Sequence, residues 1–247
     1  MTIVLNTRPR EQAAELSALL RAAGYTPLEA PAIETSAAWD ERELAHVLGG
    51  LRADAYAWVV FSSRNAVRFF LDGLAAAGGN AADLGQARLL AGSGTAEALR
   101  EAGLAPTRIL ERFSAEAALA VLRHELAPGE RVLVPRAAEG REELLDGLRQ
   151  VDAPICYRTQ AVPAATLRAV DLGQVRAITL TSPSAAQSVA QALGTRHAAA
   201  RVVCLGATTA QAARAAGLHV DRVAERTDLP SLVEAVTAAL NLREVTV

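Results

Sequence analysis

The sequence predicts an α/β protein built from a duplicated set of strand–loop–helix units. Short β-branched runs alternate with longer Ala- and Leu-rich amphipathic stretches, the pattern of βα units on a parallel sheet. Each apolar run leads into a turn of Ser, Thr, Gly or Pro and then into a helical stretch. Three such turns recur, in the same order, later in the chain.

The strands are expected at Ile3–Leu5, Trp58–Phe61, Arg88–Ala91, Arg131–Val134, Ala177–Leu180 and Arg201–Leu205. Helices are expected over 11–23, 64–77, 95–102, 114–126, 140–150, 184–193, 208–216 and 230–241. Gly24, Gly78, Gly103, Gly194 and Gly217 stand where a left-handed residue closes a helix. Ser114, and Asp228 shortly before Pro230, suit helix starts. Trp39, Trp58, Phe69 and Phe70 read as core.

The repeat has three members. Val4-Leu5-Asn6-Thr7-Arg8 aligns without a gap on Val132-Leu133-Val134-Pro135-Arg136, an offset of 128 that also pairs Glu15-Leu16 with Glu143-Leu144. Phe61-Ser62-Ser63…Ala66 aligns on Leu180-Thr181-Ser182…Ala185, at an offset of 119. Gly92-Ser93-Gly94-Thr95-Ala96 and its helix, through Ala102-Gly103-Leu104, align on Gly206-Ala207-Thr208-Thr209-Ala210 and Ala216-Gly217-Leu218, at an offset of 114. The order is A-B-C-A′-B′-C′.

Two proline-bounded, extended segments interrupt this rhythm, 30–39 and 153–163. They read either as edge strands of one sheet or as two crossings between lobes. In the second case residues 37–155 form one lobe, residues 1–35 plus 161–247 form the other, and 30–39 and 153–163 are the connections.

Composition removes several classes of function. A chain of 247 residues with 51% apolar content supports one large domain or two small ones. A net charge of −2 gives no electrostatic footprint for nucleic acid or an acidic membrane surface. All 25 Lys and Arg positions are arginine, which excludes a lysine Schiff base and the lysine of a Walker A loop. Cys156, Cys204 and the scattered His46, His124, His197 and His219 offer no disulfide framework and no metal-ligand spacing, so no metal is expected. No signal-peptide pattern opens the chain, and no apolar run approaches the roughly 18–20 residues of a membrane span. The expectation is a cytoplasmic protein that binds neither membrane nor nucleic acid and, lacking a coiled-coil pattern or a long apolar edge, is a monomer.

The chemistry is expected in the turns. A loop that leaves a parallel strand and enters a helix presents free backbone N–H groups and the positive end of the helix dipole. Ser62-Ser63, Ser93-Gly94-Thr95, Thr181-Ser182-Pro183-Ser184 and Thr208-Thr209 add neutral hydroxyl donors, a setting that suits carboxylates or phosphates. Arg8 and Arg136 end the paired A strands. Each hydroxyl could equally cap its helix, each arginine could be a surface ion-pair partner, and Tyr157 could be a packing residue. Gly92-Ser93-Gly94 lacks the further glycine of a dinucleotide fingerprint, and no Ser-His-Asp arrangement can be drawn.

Six motifs in order resemble the uroporphyrinogen-III synthase family over essentially the whole chain. They are Asn6-Thr7-Arg8-Pro9, Phe61-Ser62-Ser63 with Ala66-Val67, Pro135-Arg136 with Gly140-Arg141, Tyr157-Arg158-Thr159, Thr181-Ser182-Pro183-Ser184-Ala185 and Leu205-Gly206-Ala207-Thr208-Thr209-Ala210. The resemblance implies two similar lobes, each a parallel sheet flanked by helices, joined by a two-stranded connection around a deep cleft. It implies cyclisation of hydroxymethylbilane with inversion of the last pyrrole ring and loss of water, without metal or organic cofactor. Tyr157 then falls on the family's tyrosine, the group that would protonate the departing hydroxyl. Arg8, Ser62, Ser63, Ser93, Thr95, Arg136, Thr181, Ser182, Ser184, Thr208 and Thr209 form the expected substrate-binding set. The chain departs from the family pattern at Arg64-Asn65, where a proline is usual, at the shortened turn Gln150-Val151-Asp152, and at Ala207. A non-enzymatic, bilobed small-molecule-binding regulatory module is the alternative, and a nucleotide-binding flavodoxin-like protein is a third possibility.

Overall fold

The computed structural model of the chain describes residues 1–140, 143–197 and 199–241. They form two compact units: residues 1–35 with 160–241, and residues 36–159.

The first unit opens with β1 (Ile3–Asn6), α1 (Arg10–Ala22), β2 (Thr26–Glu29) and the start of β3 (Ile33–Ala37). The second contains α2 (Glu41–Arg52), β4 (Tyr56–Phe61), α3 (Arg64–Ala76), β5 (Arg88–Gly92), α4 (Ser93–Glu101) and β6 (Arg108–Leu110). It continues with α5 (Ala115–Glu125), β7 (Arg131–Leu133), β8 (Arg136–Ala137), α6 (Glu143–Asp146), β9 (Val151–Asp152) and most of β10 (Ile155–Ala161). The chain then returns to the first unit through α7 (Ala164–Arg168), β11 (Val175–Leu180), α8 (Pro183–Leu193) and β12 (Arg201–Cys204). It closes with α9 (Ala207–Ala215), β13 (Arg222–Val223) and α10 (Leu229–Asn241). The two passages between units run through β3 and β10, neighbouring strands in a small sheet of order β3-β10-β8.

The first unit's sheet has the order β13-β12-β11-β1-β2, and the second's has the order β6-β5-β4-β7-β9. Every strand pair in both is parallel. Position by position the two sheets correspond, so repeat member A (β1) lies beside B′ (β11), and A′ (β7) lies beside B (β4). The register matches at these central pairs, with Leu5 opposite Ile178 and Val59 opposite Leu133.

Side chains alternate across each sheet with the period of two that a strand imposes, and both faces are buried, as parallel sheets require. In the first unit Leu5, Ile178, Val202 and Cys204 pack with α8 and α9 through Val189 and Ala210. Val4, Ala177 and Val203 face the other way, onto Leu16 and Leu20 of α1 and Val236 of α10. In the second unit Val59, Phe61, Leu89 and Leu133 meet Val47, Phe70 and Leu99, whereas Trp58, Val60, Leu90 and Val132 meet Leu119 and Leu122 of α5. Each fully buried side chain of this size contributes about 1.5–3 kcal/mol.

Helix boundaries follow local chemistry. Ser114 accepts the Ala117 N–H at 3.1 Å, and Asp228 accepts the Ser231 N–H at 2.7 Å. The five glycines expected to close helices all have positive φ, from 51° at Gly194 to 88° at Gly217.

Four expectations need correction. A helix forms over Glu41–Arg52, where none was expected; Asp40 caps it and Leu44, Val47, Leu48 and Leu51 give its buried face. The helix expected over 140–150 is the single turn Glu143–Asp146 among the described residues; Gly147 follows it, packed so closely on Leu119 that a Cβ there would lie 2.5 Å from a methyl carbon. Arg141 lies outside the described residues. The short strands β2, β6, β8, β9 and β13 carry too few apolar positions to show a pattern. Trp39 is only partly buried, against the α2–α3 side of the second core.

Candidate functional site

A parallel sheet offers a ligand its carboxyl edge, at the point where successive connections leave in opposite directions. In the first unit that point lies between β1 and β11, and in the second between β7 and β4. The loops there carry Thr7-Arg8 and Thr181-Ser182 in one unit, and Pro135-Arg136 and Ser62-Ser63 in the other. The sheet order therefore brings the A and B turns of the repeat together within each unit, with the C turns one strand further out.

The second unit's turn is the more chemically loaded. Ser63 is the N-cap of α3, its Oγ accepting the Ala66 N–H at 3.0 Å. The same Oγ lies 3.0 Å from the phenol oxygen of Tyr157 on β10. The tyrosine ring is stacked on Phe69 of α3, centroids 5.2 Å apart and planes 12° from parallel. The Arg68 guanidinium lies 4.3 Å from the Phe69 centroid. Tyr157 is 7% exposed, so its ring is held by packing and its hydroxyl by Ser63. Burial pushes the phenol above its ordinary pKa; the Ser63 hydrogen bond pulls it back, and the Glu139 carboxylate adds to the rise. The phenol is thus a neutral proton carrier at physiological pH.

Next to it, the main chain of β8 and the following turn is bound to β10. Ala138 N–H donates to the Tyr157 carbonyl at 2.8 Å, and Arg136 Nη1 donates to the Gly140 carbonyl at 3.2 Å. Glu139, a residue with no sequence motif to mark it, accepts the Thr159 N–H at 3.0 Å.

The first unit builds its A turn differently. Asn6 is fully buried and donates to the Ala13 carbonyl and to Ser17 Oγ, both at 3.0 Å. Ser17 donates to Glu29 at 2.6 Å, and Asn6 Oδ1 accepts the Arg8 N–H at 3.2 Å. Thr7 donates to the Thr179 carbonyl at 2.6 Å, tying the β1 loop to β11. The corresponding positions Val134 and Pro135 have no side-chain donors, so the polar network belongs to the first unit alone. Ser17 and Glu29 lack any recognisable spacing in the sequence; the packing of α1 brings Ser17, and the pairing of β1 with β2 brings Glu29, to Asn6.

The remaining expected residues separate by burial. Ser182 caps α8 through the Ala185 N–H at 3.2 Å, the counterpart of Ser63. Ser62, Ser93, Ser184 and Thr208 are exposed, Thr181 is half-buried, and Thr95 and Thr209 are 7% and 5% exposed. Ser93 Oγ donates to the Glu111 carbonyl at 3.1 Å. Gly92 and Gly206 are the N-caps of α4 and α9, and no side chain caps either helix. These two helix starts keep their dipole and amides available to an anion, in contrast to the serine-capped α3 and α8. Arg8 Nη2 donates to Gln12 at 3.3 Å within its own loop and helix.

Residues 14–234 match the family Uroporphyrinogen-III synthase HemD. The chain belongs to the uroporphyrinogen-III synthase family. A porphyrin biosynthesis protein HemD of Ruminiclostridium josui is 28% identical over 242 residues, 94% of this chain and 47% of that protein. The chain therefore spans about half the length of that relative. A uroporphyrinogen-III synthase of Chlorobaculum parvum is 26% identical over 254 residues, 97% of this chain and 100% of the relative. In fold, the chain is similar to a mutant uroporphyrinogen III synthase of Thermus thermophilus, with a TM-score of 0.67 and 21% identity, covering 98% of this chain and 100% of that one. Among the described residues of this family member, no helix is long and apolar enough to cross a membrane.

Proposed function

We propose that the chain is a uroporphyrinogen-III synthase, a cofactor-independent carbon–oxygen lyase that cyclises hydroxymethylbilane with loss of water and inversion of the last pyrrole ring. The observation that carries this reading beyond family membership is the Ser63–Tyr157 hydroxyl pair at the carboxyl edge of the second sheet. Two hydroxyls hold two protons and share one hydrogen bond, and Ser63 Oγ already accepts a backbone N–H. One O–H is left to point at a ligand.

In the proposed reaction that proton goes to the departing hydroxyl of the substrate. The carbon–oxygen bond breaks, water leaves, and the carbon is left as a cationic azafulvene. Attack by the substituted carbon of the last ring gives a spiro intermediate, whose rearrangement inverts that ring. The inverted ring then loses the proton of its free α-carbon as it rearomatises, which balances the proton Tyr157 gave and lets the phenol re-form. Tyr157 is the proposed proton donor, because burial keeps it protonated and Phe69 fixes its plane.

The rest of the task is to hold a flexible, polycarboxylate chain in one geometry. The uncapped starts of α4 and α9 suit carboxylates, with Ser93 and Thr208 as exposed hydroxyls beside them. Arg8, Ser62, Arg136, Thr181, Ser182 and Ser184 complete the proposed substrate-binding set, and Thr95 and Thr209 enter through their backbone amides. The two compact units are the proposed lobes of a cytoplasmic monomer. Supplying hydroxymethylbilane and identifying the isomer produced tests the proposal.

A further inference from the structure

We propose that Glu139 is a positioning residue for Tyr157, pinning the Arg136–Gly140 turn onto β10 and holding a carboxylate on that strand two residues from the tyrosine. The inference rests on the reading of Tyr157 as proton donor.

The geometry comes from three contacts. The parallel pairing of β8 with β10 sets Ala137 opposite Tyr157. Ala138 N–H then closes on the Tyr157 carbonyl at 2.8 Å, and the Glu139 carboxylate reaches the N–H of Thr159, two residues further along the strand, at 3.0 Å. A charged acceptor on a backbone amide is about twice as strong as a neutral pair. The strand segment that carries the tyrosine is thereby held from both sides, by Phe69 and Ser63 of the α3 turn and by the β8 turn.

The charge has its own consequence. A carboxylate in the field of a phenol disfavours the phenolate, so Glu139 acts in the same direction as burial, though less strongly. The elements around Tyr157 also carry Cys156 and Arg158 on β10, Glu34 on β3, Arg64, Arg68 and Asp72 on α3, Arg136 on β8 and Glu43 on α2. Cys156 is itself a protonated thiol, pushed up to about 12 by burial, so at neutral pH it adds no charge. Glu139 is exposed, and exchanging it leaves the core intact.

Two variants separate the two effects. Glu139→Gln keeps a carbonyl acceptor for the Thr159 N–H and removes the charge, whereas Glu139→Ala removes both. Tyrosine carrying a ¹³C label at Cζ allows the Tyr157 phenol to be titrated by NMR, its signal assigned by loss in Tyr157→Phe. Both variants are expected to move that titration to lower pH. Hydrogen exchange at Thr159 is expected to accelerate about tenfold or more in Glu139→Ala and to stay near wild type in Glu139→Gln. With hydroxymethylbilane, kcat is expected to fall in Glu139→Ala and to recover in Glu139→Gln at neutral pH, with KM little changed. A Tyr157 titration unmoved in both variants, or a Thr159 exchange rate unmoved in Glu139→Ala, overturns the proposal. Failure of the wild-type chain to form isomer III instead overturns the reading of function, and the titration and exchange results still decide whether Glu139 positions Tyr157.

Discussion

The phenol of Tyr157 lies 3.0 Å from Ser63 Oγ, joining the strand that returns between units to the first turn of α3. The two residues are 94 positions apart in sequence, and only the tertiary fold brings their hydroxyls together. The central prediction concerns this pair. Tyr157→Phe keeps the ring that stacks on Phe69 and deletes only the hydroxyl. Turnover is expected to fall by on the order of 10²-fold with the fold intact by circular dichroism. Unchanged turnover removes Tyr157 from the chemistry.

Ser63 has two roles that can be separated by its counterpart. Ser63→Ala and Ser182→Ala each remove a helix cap of the same kind, at a cost of about 1 kcal/mol in denaturant unfolding. Only Ser63→Ala also frees the Tyr157 phenol. Of the two, it alone is expected to shift the titration of Tyr157, upward, because the Ser63 hydrogen bond pulls that pKa down. An equal response in both variants assigns Ser63 to capping alone.

Much of the fold was legible because buried parallel strands are β-branched runs on both faces, and because the repeat marks corresponding turns. Helix α2 was missed although Asp40 and the spacing of Leu44, Val47, Leu48 and Leu51 signal it. Gly49 and Gly50 obscure it, since each weakens a helix interior by about 1 kcal/mol. Gly50 has a tertiary reason: a Cβ there would lie 2.8 Å from the Tyr56 ring. In the site, hydroxyl and arginine turns could be read from their place after strands. Asn6–Ser17–Glu29 and Glu139–Thr159 could not, because contacts made by strand pairing and helix packing between distant segments have no sequence period.

The two thiols give a pH test. Burial raises Cys156 to about 12 and Cys204 to about 11, against an ordinary 9.0. A folded state with the higher pKa holds its proton longer than the unfolded chain, so the stabilisation is complete below pH 9.0 and is lost as pH rises through about 11 and 12. The urea midpoint is expected to fall across that window, and thiol reagents at pH 8 are expected to label the native chain far more slowly than the unfolded one. Rapid labelling of both cysteines in the native state contradicts the burial of these strands.

The second core should be sensitive to Phe70. Its ring meets Phe61 edge-on at 5.8 Å and is fully buried. Phe70→Ala is expected to cost about 3–5 kcal/mol in denaturant unfolding. A loss under about 1 kcal/mol would mean that the α3–β4 interface is not packed as described.

The most direct measurement is the isomer ratio of the product. Purified protein is given hydroxymethylbilane, the product is oxidised to porphyrin, and isomers I and III are separated chromatographically. The proposal predicts isomer III in excess over the spontaneous isomer I, in proportion to protein added and with no metal or cofactor supplied. Isomer I alone, at the rate of the protein-free control, contradicts it.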